Sequence, residues 1–174
     1  MSAAAKFEKS TKKSAAVLLV EDSPDDAFMV QRALNQAGIA QQVIHLKDGE
    51  EAVDYLSGNP PYDNREKFPI PALILLDLKM PRLSGLEVLT WLQTRPDLAN
   101  VPVVVLTGSV RSEDRREAEK RGAVGYQVKP VAFEDLLEMV RQVDARWLGA
   151  TQREVISNQR EGSLPGTGSE SSSE

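Results

Sequence analysis

The sequence predicts an α/β domain in which a five-stranded parallel sheet is covered by helices on both faces. Two observations carry that prediction. Five short apolar runs alternate with segments of helical period, the pattern of repeated strand–helix units. Three of the runs are apolar almost without interruption, as strands buried on both faces must be.

AVLLVE (16–21) is the first of these three. Behind it Ser23 is a good N-cap, and Pro24 suits the first helical position, where its preset φ helps and no amide partner is needed. Asp25 and Asp26 complement the positive end of that helix, which accounts for them without a ligand role. Ala27, Val30, Leu34 and Ala37 mark its buried stripe, and Gly38 ends it. QVIHL (42–46) is shorter and more polar and reads as an edge strand, followed by a helix over 50–56. SGNPPYDNREKFPIP (57–71) is a long, proline-rich connection where short ones are the norm. ALILL (72–76) is the second buried strand, with a helix over 85–95, and VPVVVLT (101–107) is the third. The helix over 112–121, SEDRREAEKR, offers the core only Ala118 and is expected to be marginally stable. GYQV (125–128) reads as the opposite edge. The last helix places Phe133, Leu136, Leu137, Val140, Val143 and Trp147 along one face.

The folded unit is therefore expected over 14–149. Residues 1–13, with scattered lysines, read as a disordered leader, and residues 150–174, rich in Ser, Gly and Glu, as a disordered tail. With no cysteine there is no disulfide, thiolate nucleophile or Cys-ligated metal. His45, the single histidine, excludes a clustered His site and is read as an edge-strand residue without chemistry. The formal net charge of −5 weighs against nucleic acid as a partner. No apolar run approaches the ~20 residues of a membrane span, and the leader lacks a signal peptide's apolar segment, so a cytoplasmic location without membrane contact is expected.

In open parallel sheets, ligands bind beyond the carboxyl ends of the strands. Here those ends carry Glu21-Asp22, Asp77, Thr107-Gly108-Ser109 and Lys129-Pro130. Taken singly, each has a plainer reading: loop acids, a β-branched strand residue, a solvated lysine. Trp91 and Trp147, on helical stripes, read as packing residues. Five suitable side chains at four corresponding strand ends outweigh the plain readings and define a site. Two carboxylates ~4 Å apart repel by about 4 kcal/mol at an effective dielectric of about 20, so three require protonation, separation or a cation. An all-oxygen donor set selects a hard ion, and Mg2+ keeps waters free for an incoming phosphate. A carboxylate can also attack phosphorus to give an aspartyl phosphate, with a lysine and a hydroxyl as suitable company.

The motifs VEDS (20–23), LLDLKMPRLSG (75–85), VLTGS (105–109) and GYQVKP (125–130) together resemble the receiver domain of two-component response regulators. The likeness covers about residues 16–148 and implies a doubly wound, CheY-like sheet of order 2-1-3-4-5. It further implies that Asp77 accepts a phosphoryl group from a sensor histidine kinase. Asp22 would bind Mg2+ directly and Glu21 through water, joined by Asp77 and the backbone carbonyl of Lys79. Thr107 would be the switch hydroxyl, Tyr126 the aromatic switch residue and Lys129 the phosphate-pairing cation, with a cis bond to Pro130. Gly108, lacking a Cβ, would leave the donor's approach open. The VEDSPDDA opening, the long 57–71 loop, the fourth strand and the terminal Trp147-Leu148 pair resemble single-domain regulators paired with bacterial phytochrome kinases. Output would then be protein–protein: a homodimer, an unidentified target or phosphate relay.

Two rivals use similar sheets. A haloacid-dehalogenase-type phosphatase also has a strand-end Asp nucleophile, but needs a second acid two residues on, where this chain has Lys79. A nucleotide-binding module needs a glycine-rich phosphate cradle, and neither GxGxxG nor GxxxxGK[ST] is present.

Overall fold

Parallel pairing of the first strand with both the second and the third places it inside the sheet rather than at its edge. The computed structural model describes residues 16–149, so the expectations for the leader and the tail lie outside the described residues. In chain order the elements are β1 (Ala16–Val20), α1 (Pro24–Gln36), β2 (Val43–Leu46), α2 (Gly49–Ser57), β3 (Pro71–Leu76) and α3 (Gly85–Leu92), then β4 (Val103–Thr107), α4 (Ser112–Lys120), β5 (Gly125–Val128) and α5 (Phe133–Val143). The strand order is β2-β1-β3-β4-β5, all parallel, with the two polar runs at the edges.

Alternation along the central strands divides the core in two. Leu18, Val20, Ile74, Leu76, Val103 and Val105 face α2, α3 and Ala118 of α4. Val17, Leu19, Leu73, Leu75, Val104 and Leu106 face α1 and α5. Each such side chain, fully buried, contributes roughly 1.5–3 kcal/mol.

Helix ends follow their local chemistry. Ser23 caps α1, accepting from the Asp26 N–H at 3.3 Å. The buried stripe holds Ala27, Val30 and Leu34 as expected and adds Ala33, while Ala37 is half-buried. Ser84 and Glu87 form a reciprocal capping box on α3. That helix stops at Leu92, short of the expected Arg95, because Pro96 drives the residue before it out of the helical region (Arg95 φ −118°, ψ 83°). β4 starts at Val103 rather than Val101, since Pro102 has no N–H for an interior ladder. α5 is followed by a wider π-type turn over Asp144–Leu148, which lays the Trp147 ring against Gly125; a Cβ there would lie 2.8 Å from the ring.

The long connection after α2 is packed, not loose. Tyr55, Tyr62 and Phe68 form an aromatic cluster with centroids 5.1–6.0 Å apart, and the Tyr62 hydroxyl donates to Glu51 at 2.6 Å. Arg65 reaches back to the exposed end of α2, donating to the carbonyls of Tyr55 and Leu56, each at 2.9 Å. The Tyr55 carbonyl also accepts from the Gly58 N–H at 3.1 Å, and a cation at this helix C-terminus suits the helix dipole. Arg65→Ala should therefore lower stability by about 1–3 kcal/mol, read as a shift in urea midpoint with unchanged m-value.

Candidate functional site

β1 and β3 run in register, Val20 opposite Leu76, so the residues that follow leave the sheet side by side. The ladder continues one step further. The Asp77 N–H donates to the Val20 carbonyl at 3.0 Å, and the Glu21 N–H to the Leu46 carbonyl at 2.9 Å. Backbone pairing thus fixes both acids at the rim. One carboxylate oxygen from each of Glu21, Asp22 and Asp77 lies within 4.8 Å of the others, with Glu21 and Asp77 buried and Asp22 exposed. The three all-oxygen donors, one of them open to solvent, fit a hard divalent cation that keeps water ligands.

Lys129 is brought in from the far side of β4, its N–H donating to the Thr107 carbonyl at 2.8 Å. Its ammonium donates to Glu21, to Asp26 at 2.8 Å and to Asp77 at 3.4 Å. An ammonium has three protons, and all three are used. Asp26 was expected only to complement the helix dipole; it is also a partner of this lysine. Burial pushes the Glu21 carboxyl above its ordinary range, against the downward pull of the Lys129 ammonium and the Ser23 N–H. Burial draws the Lys129 ammonium down, but its hydrogen bonds to Asp26 and Glu21 and the nearby Asp77 charge outweigh this and hold it above an ordinary lysine.

Lys129 reaches these carboxylates across a trans bond to Pro130, correcting the expected cis bond. Among the described residues the cis peptide is Pro60–Pro61. Three donors at one nitrogen already direct the side chain, so no cis geometry is needed to aim it.

The remaining expected residues line the same rim. Thr107 is fully buried at the end of β4 and accepts weakly from the Ser109 N–H at 3.4 Å. Gly108 faces open space, with nothing within 4 Å of where a Cβ would stand. Lys79 donates its N–H to Asp77 at 3.4 Å, and its side chain is exposed. Tyr126 is turned inward and buried, donating its hydroxyl to the Ser109 carbonyl at 3.1 Å. Arg115 of α4 lies over that ring at 4.7 Å, and the Ser109 hydroxyl donates to Asp114 of the same helix. His45 is less idle than expected, since its Nε2–H donates to the Glu21 carbonyl at 2.7 Å.

The chain as a whole is similar to known proteins. The response regulator receiver domain family matches residues 17–141. The chain belongs to that family. It is 39% identical over 132 residues to response regulator Rcp1 of Synechocystis sp., covering 76% of this chain and 88% of the relative. A probable methanogenesis regulatory protein, FilR2, of Methanothrix harundinacea is 36% identical over 133 residues, covering 76% and 83%. Among solved structures, the phosphorylated cyanobacterial phytochrome response regulator RcpA superposes with a TM-score of 0.72 at 32% identity, covering 78% of this chain and 95% of that one. The Mn2+-bound form of Rcp1 gives 0.70 at 38% identity, covering 77% and 94%. Receiver domains are signalling modules that bind a divalent metal and are phosphorylated by histidine kinases. Among the described residues no helix is long and apolar enough to cross a membrane.

Two glycines of this receiver domain make opposite predictions. A Cβ on Gly85 would stand 2.2 Å from the Asp77 carbonyl oxygen, whereas Gly108 has room. Helix propensity alone favours Gly85→Ala by up to about 1 kcal/mol, yet the clash should make it destabilising by about 1–3 kcal/mol. Gly108→Ala should leave the thermal midpoint within a few degrees of the parent. Parallel thermal unfolding of both variants checks the contrast.

Proposed function

We propose that this receiver domain is a phosphorylation switch whose acceptor is Asp77. One observation supports it above the others: Asp77 is buried at a strand end, bracketed by two acids and by the Lys129 ammonium. In the reaction, an Asp77 carboxylate oxygen attacks the phosphorus of a phosphohistidine. The P–N bond breaks, the imidazole leaves with the bond pair, and an acyl phosphate remains. Asp22, Asp77 and the Lys79 carbonyl would hold Mg2+ directly and Glu21 through water, and the ion would supply charge neutralisation of the phosphoryl oxygens. Lys129 pairs with the phosphoryl group as it forms. Gly108 leaves the donor's approach unobstructed, which agrees with the open space beside it.

The added charge, roughly −1.5 to −2 by analogy with other phosphorylated side chains, draws Thr107 and Lys129 toward the new oxygens. Tyr126 is packed inward in this structure, and phosphorylation biases the equilibrium between its inward and outward positions. α4 is the element that responds: Ala118 is its one buried residue, and its N-cap Arg111 makes no side-chain cap. The donor is a sensor histidine kinase, in the cytoplasm, of the bacterial phytochrome type; the likeness to RcpA and to the bacteriophytochrome response regulator AtBRR, 37% identical with a TM-score of 0.63, supports that choice. The output is a protein–protein contact, either a homodimer or a separate target.

Acetyl phosphate with Mg2+ should add one phosphoryl mass to the parent chain and none to Asp77→Asn; modification of the variant would refute the assignment. Light scattering with and without beryllofluoride tests the dimer, and an unchanged mass leaves the separate target as the output. The phosphatase reading predicts steady turnover of p-nitrophenyl phosphate, which Lys79 in place of a second acid argues against.

A further inference from the structure

Arg82 lies in the loop that leads from Asp77 to α3 and has a backbone φ of +65°, in the left-handed region. Glycine adopts that conformation readily, while a side chain there costs free energy that something else must offset. The offset is visible. Arg82 donates to Asp48, whose carboxylate is 2% exposed and which also caps α2 by accepting from the Glu51 N–H at 2.8 Å. Glu50 stands 3.5 Å from the same guanidinium.

The loop concerned, residues 78–84, is closed at its base and carries the Lys79 carbonyl. The Gly85 N–H donates to the Leu78 carbonyl at 3.0 Å, and Gly85 lies against the Asp77 carbonyl so closely that a Cβ would fall 2.2 Å from it. Buried Leu78 and Met80 hold the near side. The far side meets the β2–α2 turn through the Arg82–Asp48 pair and through the Leu83 carbonyl, which comes within 2.3 Å of where a Gly49 Cβ would be, while the Leu83 side chain packs against the core. A loop hinged at Asp77 and tied down at its far end holds its carbonyls still.

We propose that Arg82 and Asp48 are positioning residues for the divalent-cation site. By tying the 78–84 loop to the β2–α2 turn, they fix the Asp77–Lys79 segment that presents its carboxylate and carbonyl to the metal. The pair touches neither metal nor phosphoryl group and acts through the loop. This rests on the metal-site assignment of the preceding section.

Two variants break the tie from opposite sides while sparing the backbone. Arg82→Gly suits the left-handed φ, and Asp48→Asn keeps a competent helix cap. Mn2+ binding by electron paramagnetic resonance, alongside thermal unfolding of each protein, is the measurement. Each single variant should bind Mn2+ about tenfold more weakly, as losing an outer partner of a metal shell does, and Arg82→Lys should recover part of that loss. The double variant should bind no worse than either single one, because both remove the same interaction. Unchanged Mn2+ affinity in the singles would overturn the proposal. So would losses that add in the double variant, or that track the fall in thermal midpoint across all variants. Asp77→Asn serves as the control: if it binds Mn2+ as the parent does, the metal-site assignment itself is wrong and the proposal falls with it.

Discussion

Two carboxylates one peptide beyond neighbouring, in-register strands must face each other, and burial takes away the water that would screen them. Every other feature of the rim answers that constraint. The β1–β3 ladder continues through Asp77 and leaves the acids no freedom to separate. Burial is the main cause that pushes the Glu21 carboxyl upward, and the nearby Asp77 charge adds to it in the same direction. The Lys129 ammonium relieves the repulsion, delivered from a strand that is not even adjacent to either acid's own. A divalent cation or a phosphoryl group added at this rim would shift that balance of charge, which is what the proposed switch requires.

The balance is wired outward through few groups. Thr107 ends β4, Ser109 follows it, and the Ser109 carbonyl takes the Tyr126 hydroxyl while its side chain meets Asp114. Arg115, the next residue of α4, covers the Tyr126 ring. The first turn of α4 is thus held by polar contacts to the rim, because its apolar share is one alanine. Interactions of this kind are directional and exchange with water readily, whereas the two apolar layers across the sheet do neither.

What could be read from the residue order was whatever rests on local pattern. Unbroken apolar runs marked β1, β3 and β4, polar ones marked the edges, and Ser23 and Pro24 marked a helix start. The strand-end acids, Thr107 and Lys129 were legible because parallel topology sends all carboxyl ends to one rim. Pairings across long stretches of chain were not. Asp26 already had a sufficient explanation as a helix-end charge, so nothing in its neighbourhood signalled Lys129, 103 positions away. Asp48 and Arg82 are 34 apart and belong to no shared pattern. The 57–71 connection was read as irregular from its prolines; the interlocking of Tyr55, Tyr62 and Phe68 under Arg65 depends on spacing that only the folded chain reveals. A positive φ at Arg82 leaves no trace in a residue that is not glycine or asparagine.

The near-absence of apolar anchoring on α4 has a consequence for divergence. Its exposed positions can change without a packing penalty, provided Ala118 stays small and Asp114 and Arg115 keep their contacts. Most of the surface α4 presents to solvent is therefore made of residues other than those that hold the rim. A duplicated copy of this gene could acquire a new listener by surface substitution while keeping its phosphorylation chemistry intact.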